Sequence, residues 1–278
     1  MDTTLITPAA LAARAGDPSL VVLDCRFDLA NPDAGSALYA AGHIPGAQYV
    51  HLDQDLSGPK TGSNGRHPLP TIDEMVARFG RMGIGAGVQV VIYDGDIGMY
   101  AARAWWMLRY LGHDAVAVLD GGFARWVAEG RPVTTEVPVV APRVFTPHPR
   151  ADWRVSVADV QAGVGGGGVL VDARSPERFR GVNETLDPVG GHIPGACNYF
   201  FQQNLTTDKT FKSPDELRTQ WTALLGGRPA SEVVMYCGSG VTACHNLLAL
   251  EVAGLAGARI YPGSWSEYCA DRSRPVET

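Results

Sequence analysis

G-H-I-P-G-A at residues 42–47 returns letter for letter at residues 191–196, and the fold follows from what else returns with it. Upstream of the first copy an apolar run closes on an acid and an arginine, V-V-L-D-C-R at 21–26. Upstream of the second, V-L-V-D-A-R at 169–174 does the same. Downstream stand V-V-I-Y-D at 90–94 and V-V-M-Y-C at 233–237, then G-G-F-A-R-W at 121–126 and G-S-W-S-E-Y at 263–268. Four matched blocks in one order, roughly 140 to 150 residues apart, mark one domain written twice.

Within each copy, short apolar runs (88–93, 115–119, 169–171, 233–236) alternate with helical-looking stretches. Continuous apolar runs of this length read as strands buried on both faces, and their alternation with helices predicts a parallel sheet covered on either side. The expected fold class is therefore α/β: two tandem domains, each a parallel sheet flanked by helices. The first should span residues 1–135 and the second 151–278. Between them, the four prolines of residues 136–150 remove backbone donors and favour an extended linker. The glycine run 165–168 reads as a loop before the second domain's first strand, and no Lys-Ser/Thr follows it to make a phosphate cradle.

Composition narrows the function classes. The chain has 278 residues, 45% of them hydrophobic, and a net charge of −6 with no Lys/Arg run, so it lacks the electrostatic footprint of nucleic-acid binding. No apolar stretch is long enough to span a membrane, and the N-terminal residues lack a basic segment followed by an apolar block, so the expected address is the cytoplasm. Five cysteines (Cys25, Cys197, Cys237, Cys244, Cys269) without a C-x-x-C pair predict free thiols. The seven histidines show no Cys/His zinc spacing, so neither metal nor organic cofactor is expected.

The segment Y-C-G-S-G-V-T-A at 236–243 carries the chemistry. A predicted strand runs into Cys237, a predicted helix starts at about residue 243, and two glycines let the intervening backbone curl so that its N–H groups face the sulfur. With the helix N-terminus added, the loop is suited to hold a sulfur anion. The other four cysteines sit in apolar or aromatic contexts without such a loop and read as packing residues.

G-H-I-P-G-A in both halves, C-G-S-G-V-T in the second and G-S-W-S-E-Y near the end together resemble the tandem-domain rhodanese family. That resemblance covers nearly the whole chain. It implies a sulfurtransferase that moves a sulfane sulfur from 3-mercaptopyruvate or thiosulfate to cyanide, a small thiol or thioredoxin through a persulfide on Cys237. Gly238, Gly240, Val241 and Thr242 complete the donor-binding loop, and its lack of charge is similar to the mercaptopyruvate branch. The resemblance further implies that Ser239 is approached by a histidine and an acid of the first domain, for which His43 and Asp33 are the matching candidates, and that Arg178 and Arg180 hold the anionic donor. His43 and His192, at one motif position, also read as loop pins.

At the position of Cys237 the first copy has Asp94, which cannot carry sulfur. That half is then structural or lends side chains to the other. A cysteine-dependent phosphatase would need an arginine six residues after the cysteine, where this chain has Ala243. A non-catalytic binding module of the same fold is opposed by Cys237 and its glycines.

Overall fold

The structure is a computed structural model describing residues 1–163 and 168–278; Gly165, Gly166 and Gly167 of the glycine run lie outside them. It divides into two units. One comprises Met1–Gly58, Pro70–Arg150 and Thr207–Phe211; the other comprises Pro59–Leu69, Ala151–Thr206 and Lys212–Thr278.

In the first unit, β1 (Leu5–Ile6), β2 (Leu20–Asp24), β3 (Ala47–Tyr49), β4 (Gln89–Tyr93) and β5 (Val116–Leu119) form one sheet in the order β1-β5-β4-β2-β3, every pair parallel. In the second, β6 (Val169–Asp172), β7 (Cys197–Asn198), β8 (Val233–Tyr236) and β9 (Arg259–Ile260) form a parallel sheet in the order β7-β6-β8-β9. Read from the other edge, that is the first sheet without β1. A single parallel bridge from Arg154 to Ile260 takes β1's place. β4, β5 and β8 are buried at every position, as their unbroken apolar sequences require of strands covered on both faces.

The repeated motifs make repeated contacts. Arg26 pairs with Asp24 at 2.6 Å and bonds the Gly42 carbonyl at 2.7 Å; Arg174 does the same with Asp172 and Gly191 at identical distances. The side chains of both pairs are almost wholly buried. Each G-H-I-P-G-A loop is thereby tied to the C-terminal end of the neighbouring strand.

Residues 136–150 do not stand apart as a linker. They belong to the first unit, where the N–H groups of Arg143, His148 and Arg150 donate to Gly80, Leu111 and Tyr110 and Phe145 packs buried near Phe79 and His113. The prolines prevent a strand, but the remaining donors find carbonyls at helix ends. Each unit also holds a piece of the other half of the sequence. Pro59–Leu69 folds into the second unit and Thr207–Phe211 into the first, where Lys209 meets Asp96 at 2.6 Å and the Phe211 N–H donates to Asp120. Among the described residues no helix is long and apolar enough to cross a membrane.

Candidate active site

β8 delivers Cys237 to a turn that ends at the helix Thr242–Val252. Gly240 takes φ +76°, a left-handed conformation that side-chain-bearing residues rarely adopt, and its N–H donates to Cys237 Sγ at 3.2 Å. The loop is braced from the repeated G-S-W-S-E-Y block. Trp265 N–H donates to the Cys237 carbonyl and Ser266 N–H to the Gly238 carbonyl, both at 2.9 Å, while Cys237 N–H donates to Ser264 Oγ at 3.2 Å. Cys237 is 2% exposed. Burial pushes the thiols of Cys25, Cys197 and Cys269 up, as expected of packing cysteines.

Ser239, two residues on, lies 2.8 Å from Nδ1 of His67. Both are nearly buried, 7% and 4% exposed. The histidine on Ser239 is thus His67, and the expectation that His43 fills that place is corrected. His43 is fully buried in the first unit, its ring stacked on Tyr39 at 3.8 Å and its two nitrogens 2.8 and 3.1 Å from the carbonyls of Tyr39 and Glu136. Both ring nitrogens are occupied by backbone. His192 stacks on Phe179 in the same way, with its Nδ1 2.8 Å from that residue's carbonyl, so the shared histidine is held by the preceding helix in both copies. Asp33 is exposed at the N-cap of the helix Ala34–Ala41 without a side-chain capping bond, and it is not among the residues that the second unit gathers around Ser239.

Arg178 comes over the cysteine loop. A Cβ built on Gly238 would lie 3.4 Å from both of its terminal nitrogens. The guanidinium is held by Glu184 at 2.9 and 3.0 Å and by Asp187 at 3.1 Å. Arg180 is instead exposed at the C-cap of the helix Pro176–Phe179. Val241 is buried at the helix N-cap and Thr242 opens the helix.

A second guanidinium went unnoticed in the sequence. Arg66 ion-pairs with the far oxygen of Asp187, and its Nη2 would lie 2.7 Å from a Cβ on Gly238. Asp187 therefore bridges two arginines with a side chain only 2% exposed. Burial pushes its carboxyl up against the pull of Arg66, while Glu184, which burial would also raise, is held below its ordinary range by Arg178 and the amides of Leu186 and Asp187. Arg66 and His67 both lie in G-P-K-T-G-S-N-G-R-H-P-L-P at 58–70. This connection is longer than usual and carries neither a helical nor a strand period, and such loops are often functional. That was the available signal.

The first unit shows what such a turn does without a cysteine. The Asp94 carboxylate accepts from the N–H groups of Gly98, Tyr100 and Ala101 at 2.9, 2.9 and 3.4 Å. Burial nonetheless moves this carboxyl up.

A parallel sheet with a helix-capped turn at the end of its central strand, present twice, with a thiol in one copy and a carboxylate in the other, defines a tandem of rhodanese-like domains. The rhodanese-like domain profile matches residues 7–129 and 156–271. A protein of Pseudomonas aeruginosa named "Probable 3-mercaptopyruvate sulfurtransferase" is 48% identical over 99% of this chain and 98% of its own length. The thiosulfate sulfurtransferase of Rattus norvegicus is 36% identical over 94% and 88%. The crystal structure of SseA from Escherichia coli, presented as showing the "Rhodanese" fold of "3-mercaptopyruvate sulfotransferases", superposes with a TM-score of 0.81 at 30% identity, covering 96% of this chain and all of that one. The chain belongs to the rhodanese family, in its tandem-domain form, and is an enzyme of the sulfurtransferase class.

Proposed function

We propose that the chain transfers a sulfane sulfur from 3-mercaptopyruvate, or less readily from thiosulfate, to a thiophilic acceptor such as cyanide, a small thiol or thioredoxin, with Cys237 carrying the sulfur as a persulfide. The observation that carries this reading is the Gly240 amide donating to Cys237 Sγ at the mouth of a helix, beneath the Arg178 guanidinium. An amide-lined turn favours an anionic sulfur, whether thiolate or persulfide. Five free thiols suit the reducing cytoplasm.

The chemistry balances without a redox partner. The Cys237 thiolate attacks the donor's thiol sulfur, the carbon–sulfur bond breaks, and the electron pair leaves on the methylene carbon as the enolate of pyruvate. The proton on the transferred sulfur is then available to protonate that carbon, giving pyruvate and a persulfide anion. Ser239 and His67, in contact at 2.8 Å, are suited to relay it. Attack by the acceptor on the outer sulfur regenerates the thiolate.

Three results are expected. Ser239→Ala or His67→Ala should lower kcat with 3-mercaptopyruvate by about a hundredfold and affect thiosulfate turnover less, because thiosulfate leaves as sulfite and needs no proton on carbon. Equal losses on both donors would remove the relay. Arg178→Ala should raise KM for either donor, and the wild type should show the larger kcat/KM with 3-mercaptopyruvate. A clear preference for thiosulfate in side-by-side assays would reverse the choice of donor.

A further inference from the structure

Gly238 lies beneath two guanidinium groups, and a side chain on it would have to displace the end of Arg66. Among the described residues Arg66 uses Nη1 on Asp187, and Arg178 uses Nε and Nη2 on Glu184 and Asp187. Arg66 Nη2 and Arg178 Nη1 make no hydrogen bond to the protein among those residues, yet both are among the atoms nearest to a Cβ at Gly238. Arg66 is fixed there by its backbone, whose N–H donates to Ser266 Oγ at 3.0 Å while the Ser266 N–H donates to the Gly238 carbonyl at 2.9 Å.

We propose that Arg66, together with Arg178, receives the carboxylate of the sulfur donor on the two terminal nitrogens that converge beside Gly238, which makes Arg66 a determinant of donor specificity. The proposal rests on the sulfurtransferase reading above and extends it to a residue from the first half of the sequence. Two converging N–H edges match the two oxygens of a planar carboxylate. The charges at the site favour the same ligand class. Arg66 and Arg178 are already balanced by Glu184 and Asp187, so the pair offers directed donors without a net cation. That suits the monoanion of a thiol-bearing 2-oxo acid better than the thiosulfate dianion.

The test uses the full chain in a thiocyanate-forming assay with both donors, and pyruvate as a competing carboxylate. Arg66→Ala should raise KM for 3-mercaptopyruvate and Ki for pyruvate by about tenfold or more, with kcat changed far less. Arg66→Lys, which keeps the charge beside Asp187 but loses the fork, should fall between. Gly238→Ala should reproduce the KM and Ki shift, because its methyl group would displace the flexible end of Arg66. These two variants carry the test should Arg66→Ala fail to fold. A wild type inactive on both donors would defeat the sulfurtransferase reading itself. An active wild type whose variants keep the same KM and Ki, lose only kcat and thermal stability, or shift KM for thiosulfate alone would overturn the carboxylate assignment and leave the sulfurtransferase reading standing.

Discussion

Cys237→Ser should abolish thiocyanate formation from either donor, a loss of roughly a thousandfold or more in kcat/KM. Serine fits the turn, keeps the backbone bonds of position 237 to Ser264 and Trp265, and can still accept from the Gly240 amide. What it cannot do is bond a second sulfur reversibly, so the loss isolates chemistry from folding. The companion measurement is intact mass after brief treatment with 3-mercaptopyruvate. The wild type should gain about 32 Da, one sulfur atom, and the variant nothing. Full turnover by the serine variant, or phosphate release from an aryl phosphate by the wild type, would defeat the assignment.

The largest effect on stability is expected at Asp172 and Arg174. Their side chains are 0% and 1% exposed, and the guanidinium also bonds the Gly191 carbonyl and stacks over Trp265 at 4.9 Å. Removing one partner strands the other's charge in the core. Asp172→Ala should therefore cost about 3–5 kcal/mol, seen as a large fall in the urea midpoint of the second unit. Asp215→Ala provides the contrast. Its partner Arg218 is 3.8 Å away with both side chains exposed, and such a pair contributes about 0–1 kcal/mol. Similar midpoints for the two variants would show that Asp172 is not the anchor of its loop.

Much of this could be read from the sequence because it is repeated. G-H-I-P-G-A and the D-x-R triplets recur because each builds the same local object, an acid and arginine that tie one loop to one strand end. Burial on both faces writes β4 and β8 as apolar runs. The cysteine turn was legible for the same reason: strand, two glycines and helix are adjacent in sequence. The donor side was not. His67 and Arg66 reach the second unit through Pro59–Leu69, a segment that precedes β4 in sequence but folds with β6 to β9. Nothing in local periodicity records such an exchange. His43 drew the histidine's role because it stands in a motif, whereas the structure shows that the motif fixes it as a pin, with both nitrogens taken by carbonyls. Residues 136–150 misled in the opposite sense, since proline forbids strand pairing without forbidding burial, as Phe145 shows.

The Asp94 turn has a consequence for what the protein can be poisoned by. Because that carboxylate is tethered to the amides it satisfies, no freely diffusing phosphate or sulfate competes with it on equal terms; it would have to outbid a ligand whose local concentration is set by a few covalent bonds. The first half's turn thus carries its own ligand, whereas the turn of Cys237 has no carboxylate at the matching position.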